Sequence, residues 1–286
     1  MSMPVFRPVR AKAREFPLSE NSRSLPGILL VAFGVTTRYG KPALAAFTDK
    51  VRSAFPGHIV HWAFTAKHQV KRPTLSGEPG MSVERALTSL ARKNITSVAV
   101  QPLHLTAGRE YSVLRRQIET WQNQHPGMTF SVGSPLLTGA DSADAVLSAM
   151  HSAAAPLLEP DEAPVWVGHG SKDPLRTEYL KLAAHAEQSG HPLFLGCISG
   201  GRSADEILGL LQRNGKNRVC LLPFFALSGY HAAKDVAGKN EGSWKSRFAK
   251  AGISCRVHLQ GLVEYDVFAA LWLARLREAL VSATHK

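Results

Sequence analysis

The chain repeats itself. Residues 82 to 110 align without a gap on residues 203 to 231, at a constant offset of 121. Each copy opens on a serine (Ser82, Ser203) and reaches a leucine five residues on (Leu87, Leu208). It then passes through a short apolar run to a proline (Pro102, Pro223) and comes to a glycine (Gly108, Gly229). Upstream, Val31-Ala-Phe-Gly34 matches Val167-Gly-His-Gly170. Apolar patterning alone is common to many chains. Proline and glycine held at one spacing, each just beyond an apolar run, are harder to obtain by chance, and they point to two similar domains.

Both copies alternate short apolar runs with stretches of helical spacing. The pattern predicts strands over 28–33, 59–64, 97–101 and 129–132 and helices over 42–55, 109–124 and 142–154, with a further helix capped by Ser82 that turns Ala86, Leu87 and Leu90 inward. A Glu-Pro-Asp-Glu turn within 156–164 interrupts it. The cycle then restarts, with strands over 165–167, 193–198, 218–222 and 254–258 and helices over 175–188, 205–212, 243–250 and 265–283. Strands alternating with helices predict an α/β fold built on parallel sheets. The expected organisation is a basic disordered tail over 1–26 and two domains over 27–155 and 163–286. The carboxyl ends of the two sheets should face one cleft, the edge at which such sheets bind ligands.

Composition narrows the chemistry. Three cysteines (Cys197, Cys220, Cys255) with no CxxC exclude a disulfide scaffold, an all-cysteine zinc site and an iron–sulfur cluster held by this chain alone. No apolar run approaches the ~18 residues of a membrane span. The first 26 residues hold arginines but no apolar core, so no secretory signal is read there and the expected location is the cytoplasm. The formal net charge is +12, of which +6 lies in residues 27–150. Such an excess draws anionic partners. The positives form neither a dense stripe nor an aromatic-interleaved face, so a nucleic-acid partner is not expected. No GxxxxGK[ST] loop and no dinucleotide fingerprint occurs, which leaves ATP and NAD without a motif.

Two of the twelve histidines stand out by position. His169 lies between two glycines directly after an apolar run, and His231 follows Gly229-Tyr230 beyond the equivalent run in the same domain. Either alone reads more readily as a loop residue bonded to backbone. Two at equivalent strand ends suggest metal binding or proton acceptance, both suited to neutral imidazole. The repeat pairs Phe33 with His169 and Glu110 with His231, which singles out Glu110 beyond its place in a helix first turn.

At these residues the chain resembles a known family: the anaerobic, early cobalt-inserting sirohydrochlorin cobaltochelatases of cobalamin biosynthesis, relatives of the ferrochelatases. The resemblance covers about residues 27–282. Its carriers are Leu-Val-Ala-Phe-Gly34, Ala-Phe-Thr65, Gln-Pro-Leu-His104 through Gly-Arg-Glu-Tyr111, Gly-His-Gly170, Gly-Tyr-His-Ala232 and Gly-Ser-Trp-Lys245. It implies two chelatase-type domains with the tetrapyrrole between them, no nucleotide and no membrane, and it leaves a homo-oligomer open. It implies Co2+ as substrate metal on His169 and His231, with Glu110 as the third catalytic residue. Phe33, Gly34, Val35, Thr36, Ser171 and Ser228 are expected to line the cleft. Arg38, Arg109 and Arg202 are expected to meet the carboxylates of the macrocycle. The chain departs from the family where Ser199 replaces an acidic metal ligand, and where Tyr230 and Lys234 replace an aspartate and an asparagine. Those departures leave Fe2+ or Ni2+ insertion, or tetrapyrrole binding without turnover, as alternative readings.

Overall fold

The structure, a computed structural model, describes residues 25–34, 40–66, 81–138, 141–171, 173, 177–190 and 193–284. The tail assigned to 1–26 falls almost wholly outside them, as do Val35, Thr36 and Arg38. Two four-stranded parallel sheets form the frame. Strands β1 (Gly27–Ala32), β2 (Val60–Phe64), β3 (Ser97–Pro102) and β4 (Thr129–Val132) lie in the order β2-β1-β3-β4. Strands β5 (Ala163–Gly168), β6 (Phe194–Cys197), β7 (Arg218–Phe224) and β8 (Ser254–Val257) repeat that order as β6-β5-β7-β8. Helices α1 (Gly40–Ala54), α2 (Val83–Ala91), α3 (Arg109–Gln124) and α4 (Asp141–Ala154) belong to the first half of the chain. Helices α5 (Glu178–Gln188), α6 (Ala204–Arg213), α7 (Trp244–Lys250) and α8 (Asp266–Thr284) belong to the second.

The strands are apolar throughout because both faces of each sheet are covered, and period-two alternation then sorts their side chains into separate cores. On β1, Leu29 and Val31 pack with the helices of the outer layer, while Ile28, Leu30 and Ala32 face the interior of the molecule. On β5, Val165 and Val167 pack outward and Trp166 inward. The two inward faces share a single hydrophobic core with α1, α4, α5 and α8. Ser82 and Ser203 cap α2 and α6, each side-chain oxygen accepting a backbone N–H three residues on.

One helix crosses over. The sequence boundary groups α8 with the second half, yet in the structure it lies along β3 and β4 of the first sheet. Ser97 Oγ donates to the Ala283 carbonyl at 2.7 Å, and the Arg275 guanidinium donates to the Leu136 carbonyl at 2.6 Å. Trp272, fully buried, meets the Phe47 ring of α1 edge-on with centroids 6.4 Å apart. Helical periodicity announces that α8 must bury an apolar face. It says nothing about which sheet that face will cover. Among the described residues no helix is long and apolar enough to cross a membrane.

Candidate active site

The site grows from the carboxyl ends of β5 and β7. Strand β5 ends in Gly168, and His169 is the next residue, exposed at the sheet edge. Gly170 follows at φ +76°, and a Cβ there would drive into the carbonyls of Ser199 and Gly200. Only glycine suits that position, both for its left-handed backbone and for the close approach of the loop beneath. That loop is pinned from both sides: Ser199 N donates to His169 O at 3.0 Å, and Cys197 N donates to Arg202 O at 2.7 Å. Ser199 therefore stands directly beside His169, at the position where the resemblance led us to expect an acid.

His231 arrives from the segment after β7 at the head of a π-turn, Ala232–Val236, closed by an Ala237 N–H donating to Ala232 O at 3.0 Å. Turns of this width are rare and concentrate at functional sites. The His169 and His231 rings meet edge to face, with centroids 4.9 Å apart and planes at 86°. Each ring is oriented through Nδ1. In His169 that nitrogen lies 3.2 Å from the Gly170 carbonyl, and in His231 it lies 2.6 Å from Asp235 Oδ2. A carbonyl and a carboxylate only accept, so these contacts call for a proton on Nδ1, and in the neutral ring the Nε2 lone pair is then left available. Two such nitrogens side by side can take a divalent transition metal or accept protons.

The other expected site residues divide. Glu110 is half-buried in the first turn of α3, after the carboxyl end of β3. Among the described residues no three His, Cys, Asp or Glu side chains converge to hold a metal, so Glu110 is not grouped with the histidines. Phe33 is 48% exposed at the end of β1, and Arg109 is exposed at the start of α3. The Gly34 backbone is partly exposed beside Phe33, and Ser171 Oγ accepts from Asp173 N at 3.2 Å. Two expectations need correction. Arg202 does not offer a free guanidinium, because it forms a bidentate pair with Glu187 at 2.6 and 3.0 Å. Ser228 does not line open space. It is 3% exposed, in a loop packed against Gly261 so closely that a Cβ on that glycine would collide with it.

Neither nearby acid replaces the missing ligand at Ser199. Glu206 closes a capping box, its carboxylate accepting Ser203 N at 2.7 Å, and Asp205 pairs with Arg247. The residue that sequence reading passed over is Asp235. Its signal was present, since it follows His231 by four residues and occupies the place of Leu114, a core residue, in the first copy. A carboxylate at an apolar repeat position is a departure that asks for a reason.

The cobalt chelatase (CbiK) family model matches residues 26–281. The chain belongs to the cobalt chelatase (CbiK) family. It is 36% identical over 254 residues to a sirohydrochlorin cobaltochelatase, CbiKC, of Nitratidesulfovibrio vulgaris, covering 89% of this chain and 90% of that one. It is 28% identical over 264 residues to the sirohydrochlorin cobaltochelatase of Salmonella typhimurium, covering 91% and 98%. The solved structure of SirB from Bacillus subtilis with Fe3+ superposes with a TM-score of 0.62 at 17% identity, covering 92% and 98%, and so shares the fold. In this cobalt chelatase the two histidines thus come from one sheet and Glu110 from the other.

Proposed function

We propose that this chain inserts Co2+ into sirohydrochlorin without a nucleotide, in the cytoplasm, with His169, His231 and Glu110 as its catalytic residues. The observation that carries the reading is the pair of imidazoles at the carboxyl ends of β5 and β7. Their Nδ1 atoms are held by acceptors and their centroids lie 4.9 Å apart. Insertion must strip water from Co2+, hold the ion over the ring and remove two pyrrole protons. The Nε2 lone pairs of His169 and His231 replace water on the ion, and once the ion has moved into the ring they are free to take protons. Glu110, in the first turn of α3, accepts a proton or passes it to solvent. Phe33 supplies an apolar surface for the flat macrocycle, with Gly34 and Ser171 beside it. Arg109 pairs with the substrate carboxylates, which the excess positive charge helps to draw in.

The test follows the absorbance change when Co2+ and sirohydrochlorin are mixed, with and without protein and with no ATP. Acceleration over the protein-free rate is expected. His169→Ala and His231→Ala should each cost about 100-fold or more, the scale for losing a positioned acid–base group. Near-normal turnover in both variants would overturn their roles. Stoichiometric binding of the macrocycle with no acceleration would replace the enzyme reading with that of a tetrapyrrole binder, and faster insertion of Fe2+ or Ni2+ would reassign the metal.

A further inference from the structure

We propose that Asp235 is the positioning residue that sets His231 for the incoming metal, holding the proton on Nδ1 so that Nε2 is presented as a ligand. The proposal rests on the chelatase reading above and adds to it the group that makes one of the two imidazoles competent.

Asp235 Oδ2 lies 2.6 Å from His231 Nδ1, a charge-assisted contact at the short end of its range. The aspartate side chain is 27% exposed and the histidine 43%, so the pair is only partly open to water. The contact depends on local backbone. Asp235 and His231 are four residues apart, on one face of a helical turn, and here that turn is the π-turn rather than a regular helix. The turn is clasped from outside: Asn240 Nδ2 donates to Lys234 O at 3.0 Å, and Ser243 Oγ donates to Gly238 O at 2.6 Å. A Cβ on Gly238 would run into the Lys234 carbonyl, so the clasp also needs that glycine. The neighbouring cation, Lys234, holds its Nζ over the Tyr230 ring, 5.1 Å from its centroid, and feels the Asp235 charge from there.

The first copy is the natural control. Where His231 and Asp235 stand, it has Glu110 and Leu114, and Leu114 is fully buried in the outer core of a regular helix. The second copy thus gives up an apolar anchor and a regular helix at one place, and what it obtains there is a carboxylate on imidazole. Metal-binding histidines are commonly oriented in this way through their other nitrogen, and loss of the partner typically costs about 10–100-fold in metal affinity or activity.

Two variants of the full chain test it: Asp235→Leu, which installs the residue of the first copy, and Asp235→Asn, which keeps the shape. An amide can donate to Nδ1 as readily as accept from it, so neither variant enforces the tautomer. Long-range 1H–15N spectra of the 15N-labelled protein at pH 8.5 read the His231 tautomer directly. Wild type should show Nδ1–H alone, and both variants should gain an Nε2–H population. Co2+ titration should show about 10–100-fold weaker binding in Asp235→Leu, with a smaller loss in Asp235→Asn. If Asp235→Leu does not fold, Asp235→Asn decides. An Nε2–H tautomer in wild type, or an unchanged tautomer and Co2+ affinity in the variants, overturns the proposal. A locked tautomer and tight Co2+ binding in a protein that inserts no metal would leave Asp235 its role and sink the chelatase reading.

Discussion

The two halves of the molecule share a skeleton down to single hydrogen bonds. Ala66 N donates to Phe33 O at 2.9 Å in the first, and Ser199 N donates to His169 O at 3.0 Å in the second. Leu136 and Leu137 bond back to His104 and Leu105 as Leu262 and Val263 bond back to Phe225 and Ala226. The side chains carried on that skeleton differ at the strand ends and in the turns that follow: Phe33 against His169, Glu110 against His231, Leu114 against Asp235, His104 against Phe225. The lesson is a separation of tasks. Strand order, latches and caps recur because they satisfy backbone groups and bury apolar faces. The residues beyond the strand ends are free to diverge, and the paired imidazoles of His169 and His231 both stand on the second sheet.

The halves are alike but not independent, and the largest effect expected from breaking the comparison follows from that. Trp272 comes from the second half of the chain and packs in the core shared by both sheets, against Phe47 of the first. Trp272→Ala should cost about 3–5 kcal/mol, the usual range for deleting a large buried aromatic. The loss should appear in one cooperative transition for the whole described fold, followed by chemical denaturation with far-UV and near-UV signals together. Two separated transitions, with the second half unaffected, would show that α8 joins two domains without coupling them.

The same crossing marks the limit of what a reader of the sequence could see. The alternation of strands and helices was legible because strands covered on both faces are short and apolar, and the repeat was legible because proline, glycine and capping serine punctuate it. The helix expected over 265–283 is α8, displaced by a single residue. What could not be read were choices of partner. The apolar face of α8 fits either sheet, and the arginine expected to meet substrate, Arg202, found Glu187 instead. In the site, His169, His231 and Glu110 could be named from their places after strands. Asp235 was passed over, although its spacing of four from His231 and its place opposite an apolar residue of the first copy were both in the sequence.

A smaller effect tests whether polar residues at the strand ends of the first half are tuned differently from their counterparts. Both ring nitrogens of His104 are buried without a protein partner among the described residues, and burial pushes its pKa down to about 4. An unfolded imidazole takes its proton near pH 6.5. Below that pH the unfolded chain binds a proton that the folded one refuses, so stability should fall as the pH drops from 6.5 to about 4 and then level off. The slope is about 1.4 kcal/mol per pH unit. His104→Phe, which installs the residue of the second copy, should remove about 2 kcal/mol of the loss between pH 6.5 and 5, read from urea midpoints at the two pH values. Equal losses in the variant and wild type would mean that His104 takes up its proton in the fold as readily as in the unfolded chain.

The smallest effect concerns the two caps, and it bears on why the second half needs a firmer one. Ser82 accepts Arg85 N at 3.2 Å and stops there. Ser203 accepts Glu206 N at 3.3 Å, and Glu206 returns a bond to Ser203 N at 2.7 Å. Ser82→Ala and Ser203→Ala should each cost about 1 kcal/mol, within the range for losing a serine cap, because Ser203→Ala opens only the hydroxyl arm of the box and leaves the backbone N–H of residue 203 on Glu206. The loop that ends at Ser203 carries Gly200 and Gly201 at φ +63° and +82° and runs beneath Gly170. An open cap at α6 therefore loosens the support of His169, whereas an open cap at α2 leaves both histidines as they were. Ser203→Ala should accordingly lower the rate of metal insertion as well as the urea midpoint, and Ser82→Ala should lower the midpoint alone. An equal effect of the two variants on rate would mean that the loop beneath His169 is held by Ser199 and Cys197 without help from the helix that follows.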